Sequence, residues 1–169
     1  PRSMTSIGEA AFSYCAVLSM TIAEGNPSYR LENGLLLDAD GRLITALNTI
    51  VSGNFRMPDE LSAILTESFS YCVRITSVTI PTSIKSIPKN AFNSCFNLRS
   101  VVVYEGMESI EDHAFSQCYG LSSVTIPASV TYISEDAFSF CSIDLTIHAP
   151  AGSYAEQWAK ENRVAFVAE

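Results

Sequence analysis

Four phenylalanines and four cysteines recur with a single period, and that spacing constrains the chain more than any other feature. Phe69, Phe92, Phe115 and Phe138 lie 23 residues apart, and so do Cys72, Cys95, Cys118 and Cys141. The apolar positions between them keep phase, as Leu61, Ile84, Met107 and Val130, then Ile64, Ile87, Ile110 and Ile133. A fixed repeat of this length marks a solenoid, in which each coil can bury its apolar side only against its neighbours. The expected fold is α/β: a solenoid with a parallel β-sheet on one face, short helical turns on the other, one β-hairpin insertion and a C-terminal helix-strand cap.

Residues 1–169 read as one domain. The first repeat occupies 1–22, because Met4, Ile7, Ala11, Phe12 and Cys15 match Val130, Ile133, Ala137, Phe138 and Cys141. The chain therefore begins inside a repeat and reads as the C-terminal fragment of a longer protein. From Cys15 to Cys72 is 57 residues, two periods plus eleven, and residues 23–56 hold the excess. There, Asn26-Pro27-Ser28-Tyr29 predicts a turn. Gly34–Leu37 and Arg42–Thr45 flank Asp38-Ala39-Asp40-Gly41 as a hairpin whose tip projects. Phe55-Arg56-Met57-Pro58 then restores the phase of Val78-Thr79-Ile80-Pro81.

Residues 57–147 hold four repeats of 21–23 residues. The β-branched triplets Val78-Thr79-Ile80, Val101-Val102-Val103 and Val124-Thr125-Ile126 predict short parallel strands. The phrase Ile133 to Cys141 places apolar residues at helical spacing, which predicts a short helix or helical turn. The last copy reads as shortened by two residues, if Leu145 is equated with Val124. Residues 148–169 form the cap. Ser153-Tyr154-Ala155-Glu156 is a capping box, Tyr154 and Trp158 are expected to share a face, and Val164-Ala165-Phe166 alternates as a final strand.

Charge limits the partners. A net charge of −8 opposes nucleic acid, which requires a basic face, and opposes docking to anionic lipid. No apolar run reaches the roughly 18–20 residues of a spanning helix, so membrane insertion is not expected. The opening residues match a repeat and not a basic-then-apolar leader. All five cysteines share the slot three residues after the repeat phenylalanine. Stacking would set their side chains parallel at about 4.8 Å, so they read as small buried apolar groups and not as disulfides. The structural core is thus expected to hold Phe12, Cys15, Phe69, Cys72, Phe92, Cys95, Phe115, Cys118, Phe138 and Cys141.

The pattern Val-Thr-Ile-Pro, three spacers, Val or Ile, then Ile, Ala-Phe and Cys resembles the BspA-like leucine-rich repeats of bacterial surface proteins over residues 4–22 and 57–147. The Asn-Pro-x-Tyr stretch with its Gly-Leu-Leu hairpin, and the Gly-Ser-Tyr-Ala-Glu-Gln-Trp-Ala tail, are similar to elements that family carries. The resemblance implies a leucine-rich-repeat solenoid, a secreted or surface location, and adhesion to host or matrix proteins. The sequence departs from the better-known leucine-rich consensus: its Asn/Cys slot after the strand holds Glu60, Ser83, Gly106 or Ser129. A ladder of asparagine bonds is therefore not expected.

No constellation of nucleophile, base or metal ligands emerges, so no catalytic residue, metal or cofactor is assigned. His113 falls in a variable slot that holds Glu67, Asn90 and Asp136 elsewhere, which reads as a solvated turn. Asp38-x-Asp40-Gly41 lacks the flanking acids of a calcium loop, where Leu36 and Leu47 stand. Glu108, Glu111 and Asp112 read as a solvated acidic face. Recognition is the better expectation. Between the inward Val and Ile of each strand, Ser19-Thr21, Ser77-Thr79, Ser100-Val102, Ser123-Thr125 and Asp144-Thr146 line the outer face, with Arg99 and Tyr104 flanking the middle strand. Ser77, Thr79, Arg99, Ser100, Val102, Tyr104, Ser123 and Thr125 are the candidate binding residues, and Val102 and Tyr104 mark a contact spot because other coils have Thr and Pro there. The hairpin tip near Asp38–Arg42 is a second candidate. The partner is expected to be a protein or glycan; the alternative is a structural spacer whose binding lies elsewhere in a larger protein.

Overall fold

The computed structural model describes residues 1–8, 11, 12, 15 and 18–169. Positions 9, 10, 13, 14, 16 and 17 of the expected first coil lie outside the described residues. The first strands form an antiparallel meander of β1 (Tyr29–Glu32), β2 (Leu35–Asp38) and β3 (Arg42–Ala46). Strands of two ladders then alternate along the chain: β4 (Gly53–Arg56), β5 (Ala63–Ile64), β6 (Ile75–Ile80), β7 (Ser86–Ile87), β8 (Ser100–Val103), β9 (Ser109–Ile110), β10 (Ser123–Thr125), β11 (Tyr132–Ile133) and β12 (Thr146–Ala149). Helix α1 (Tyr154–Glu161) and β13 (Ala165–Ala168) close the domain.

The main sheet is parallel, in the order β13-β12-β10-β8-β6-β4. Val78 pairs with Val101 and Val101 with Val124, so the repeat period is also the ladder register. A second parallel ladder joins β7, β9 and β11 at a two-residue step ending in Ile87, Ile110 and Ile133, which the sequence pattern does not declare as strand. The expected helical side consists of turns, closed by bonds such as Cys72 N to Phe69 O and Asn93 N to Asn90 O. A helix cannot continue there, because Glu67, Tyr71, Asn90, Ser94, His113 and Gln117 adopt positive φ, which breaks the right-handed run. The freed amides bond to the next coil instead, as Phe69 N to Ala91 O and Phe92 N to Ala114 O, both at 2.8 Å.

This arrangement fills the core with the repeated side chains. Phe69, Phe92 and Phe115 are fully buried and Phe138 nearly so. Their rings stack face to face at 4.8, 5.1 and 5.3 Å. Phe55 closes one end of the stack at 5.8 Å and Trp158 the other at 5.4 Å, both tilted. The thiols lie beside the rings, Cys72, Cys95 and Cys118 buried and Cys141 half-buried at the last coil, and bond between coils: Cys95 Sγ donates to Phe69 O at 3.1 Å, Cys118 Sγ to Phe92 O and Cys141 Sγ to Phe115 O, each at 3.2 Å. A thiol row thus does the work an asparagine row would do, without the desolvation cost of an amide. Burial raises the Cys72 thiol to about 12 and pushes Cys95 and Cys141 well up from the usual thiol value.

Several expectations are corrected. Cys15 is exposed and Phe12 only half-buried, because the 23–56 insertion separates the first coil from the stack and no aligned row reaches it. Positions 18–22 form no strand, so Ser19 and Thr21 do not join the main sheet, whose edge is β4. The last coil is not shortened: Val124 pairs with Ile147, a full 23-residue step, and Leu145 is an additional buried residue before the strand. The outer face there presents Thr146 and His148, while exposed Asp144 precedes the strand. The hairpin tip does not project. Asp38 is buried, and its carboxylate accepts from Asp40 N, Arg42 N and Arg42 Nε. Because β3 runs parallel to β5, with Leu43 opposite Ile64, the meander and the first short strand form one four-stranded sheet, β1-β2-β3-β5. The Asn26 turn forms through its side chain, which accepts from Ser28 N and Tyr29 N, and β1 begins at Tyr29.

In the cap, Ser153 Oγ accepts from Glu156 N at 3.3 Å, and Glu156 reaches back to Gly152 N at 2.6 Å. Tyr154 and Trp158 are helix neighbours, but only Trp158 is buried and Tyr154 lies at the exposed edge. Ala155, Trp158 and Ala159 point inward and Tyr154 outward, since Trp158 must lie over Phe138 and donate to Ser134 O at 3.2 Å. The final strand begins at Ala165, one residue later than the alternation suggested.

Candidate functional site

Each main-sheet strand buries alternate residues and turns the others outward, the pattern seen in β8 as Ser100, Val101, Val102, Val103. Register then stacks the outward residues into two rows. One runs Asn54, Ser77, Ser100, Ser123, Thr146; the other runs Arg56, Thr79, Val102, Thr125, His148. Of the residues singled out from sequence, Ser77, Thr79, Ser100, Val102, Ser123 and Thr125 come together on this face and are half-buried by their neighbours. Arg99 stands exposed at the entry to β8, and Tyr104, 42% exposed, at its exit. The ring stack, spaced 4.8–5.3 Å, nearly matches the roughly 4.8 Å step between strands. The coils therefore pile with little divergence, and the sheet presents a shallow surface and not a deep groove.

Side-chain bonds organise one end of that surface. Ser77 Oγ and Thr76 Oγ1 reach Asn54 Oδ1 at 2.9 and 3.3 Å. Arg56 Nη2 pairs with Asp59 at 3.0 Å. Asp59 first, and then the Tyr104 hydroxyl, hold the Arg56 guanidinium above its usual value. Tyr104 thus lies close enough to Arg56, two strands away, to act on its charge. Sequence reasoning passed over Arg56 and Asp59, although Arg56 shares its slot with Thr79, Val102 and Thr125. It also missed His148, which pairs with Glu169 at 3.3 Å, because the last coil was read in the wrong register.

Two of the remaining candidates have structural partners, while the His113 Nδ1 is buried without one among the described residues. Glu111 accepts from Ser109 Oγ at 2.7 Å, and Asp112 from Ser134 Oγ at 2.6 Å. His113 is half-buried in a left-handed turn. Among the described residues, no group of three His, Cys, Asp or Glu is placed to hold a metal ion, and no helix is long and apolar enough to cross a membrane. What the face and its margins offer is a row of hydroxyls, the guanidiniums of Arg56 and Arg99, and the exposed Tyr104 phenol, a set suited to hydrogen bonding and aromatic packing.

Comparison with known proteins agrees with this architecture. The profile of the BspA type leucine rich repeat region matches residues 48–152 in six copies. A leucine rich cell surface protein from Faecalibacterium prausnitzii is similar in structure, with 29% identity and a TM-score of 0.70 over 93% of this chain and 48% of its own. A leucine-rich repeat protein from Bacteroides capillosus gives 25% identity and 0.65 over 73% of this chain and 99% of its own. The pneumococcal vaccine antigen PcpA, at 14% identity and 0.53, shares the fold. The chain spans about half the length of the F. prausnitzii protein, 48%. No match was found among curated proteins.

Proposed function

We propose, from the premise that the chain belongs to the BspA-type leucine-rich-repeat family, that it is a non-catalytic binding module that recognises a protein through the outer face of its main sheet. Proteins built of leucine-rich repeats generally bind proteins, and members of such families are typically non-catalytic. The observation that carries the reading is the row Arg56, Thr79 and Val102 on the outer face, with Arg56 paired to Asp59 and the exposed Tyr104 phenol at the exit of β8: a phenol and a guanidinium set on a rigid, shallow sheet. Tyr and Arg are the residues that anchor interfaces, and strands hold them with little conformational cost on binding. Likeness to the F. prausnitzii leucine rich cell surface protein supports an extracellular or surface location, and the binding we propose there is adhesion to a host or matrix protein.

The test is a binding screen of the purified chain against matrix proteins, followed by Tyr104→Ala and Val102→Asp. Both variants should weaken capture about tenfold or more, the loss of a hot-spot side chain, while the melting temperature stays near that of the wild type. Parallel loss of binding and of folding would refute the reading. A second reading, a spacer within a longer surface protein, is favoured by the chain's covering only 48% of its F. prausnitzii relative. It predicts that longer chains bind where this one does not.

A further inference from the structure

A second surface lies on the ridge between the phenylalanine turns and the main sheet. The slot directly after the core cysteine holds Val73, Phe96, Tyr119 and Ser142 in successive coils. Phe96 and Tyr119 stack at 5.5 Å and 10°, and Tyr71 packs edge-on against Phe96 at 6.1 Å. The stack ends at Tyr119, because Ser142 is too small to cover the far face of its ring, and Tyr119 is 58% exposed. In the last coil Phe140 is 72% and Ile143 100% exposed. Helix α1 covers Phe138 through Trp158 but leaves these two side chains in water.

The fold gains nothing from an aromatic ring at position 140. Its backbone is left-handed, φ 60°, as are Tyr71, Ser94 and Gln117 in the equivalent slot, so a small or polar residue serves the turn too; and where the Tyr71 ring packs against Phe96, the Phe140 ring stands in water. A bulky side chain in that conformation and in water carries a cost without a packing return, which points to a partner.

Charge identifies the partner's chemistry. Residues 100–159 contain eight Asp or Glu and no Lys or Arg. Of 18 acidic residues, ten remain elsewhere, matching the ten basic ones, so the whole net charge of −8 resides in this segment. Asp136, which accepts from Ser139 Oγ at 3.0 Å, and exposed Asp144 flank Phe140 and Ile143. A second copy of this chain would bring like charge to the contact, and a neutral apolar partner would strip water from unpaired carboxylates. A guanidinium satisfies both features, stacking on an open ring face while pairing with the acids. We propose that the Tyr119–Phe140–Ile143 ridge docks an arginine-bearing segment of a partner protein, independently of the sheet face.

Fluorescence anisotropy with a labelled octa-arginine peptide, at physiological ionic strength, tests this on the whole chain. Saturable one-to-one binding is expected, weaker for octa-lysine and absent for octa-glutamate. Tyr119→Ala, and the double change Phe140→Ser with Ile143→Ser, should each weaken octa-arginine binding about 3- to 30-fold. Tyr104→Ala should leave it unchanged. Thermal melts of the ridge variants should overlay the wild type, since the altered side chains are exposed. Unsaturable binding, equal affinity for octa-lysine, or variants that bind like the wild type would overturn the proposal in favour of diffuse attraction by net charge. An equal loss in Tyr104→Ala would also overturn it, and would move the cationic site to the sheet.

Discussion

Replacing Phe115 with alanine removes the ring with neighbours on both faces, Phe92 at 5.1 Å and Phe138 at 5.3 Å. The ring is 0% exposed, so the full transfer term is lost, about 3 kcal/mol for a buried phenyl group. Ladder bonds to coils on both sides, Phe92 N to Ala114 O and Phe115 N to Ala137 O, restrain the backbone from collapsing into the gap. A cavity term therefore adds to the transfer term, for a total of about 4–5 kcal/mol, within the usual range for Phe to Ala in a core. Phe115→Leu keeps most of the volume and forfeits two ring contacts, so it should cost about 1–3 kcal/mol. Urea unfolding followed by far-UV circular dichroism reads both values. For a domain of this size the alanine variant should melt about 8–20 °C lower. Because each coil contacts only its neighbours, a lesion in the middle of the stack should also lower the urea slope, as the two ends unfold apart. A loss under about 1 kcal/mol for the alanine variant would refute the enclosed ring stack.

The cap should respond to acid. Lys160 first, and then the Gly152 N–H, hold the Glu156 carboxyl below its usual value; a depressed folded value stabilises above the unfolded one, so the stability gap between wild type and Glu156→Gln should be present at pH 7 and close as pH falls from about 5 toward 3. A gap that widens in acid would contradict that pairing. At the meander, Asp38→Ala leaves Asp40 N and Arg42 N without their acceptor and should cost about 1–3 kcal/mol. Hydrogen exchange should show the loss concentrated in residues 29–46, and uniform protection would argue against the Asp38 turn as their tie.

How far the sequence could be read depended on whether a residue's role repeats. Phe92, Cys95, Ile110 and Val124 each recur at one period, so burial, strand register and the outer rows followed from spacing alone. The second ladder escaped notice because two residues per coil are too few for an alternating pattern, and the strand exists only through its neighbours. The turns were read as helical because Ala114, Phe115 and Cys118 have helical spacing, while the left-handed residues that stop the helix, Asn90, His113 and Gln117, share no side-chain type. At the ends the period had no partner to average against. Cys15 carries the right residue without the stack, and Leu145 mimicked Val124 one step too early. Arg56 was legible from its slot. Its tie to Tyr104 was not, since the long arm crosses a strand and no spacing records that reach.

Thiol counting in the native protein at pH 8 bears most directly on the claim that matching rows lie sealed between coils. Only Cys15 is exposed, while Cys72, Cys95 and Cys141 are held protonated by burial and Cys118 is fully covered. The predicted result with an aromatic disulfide reagent is one thiol reacting at once, the other four only after guanidinium is added. Two or more fast thiols per chain in the folded state would contradict the account.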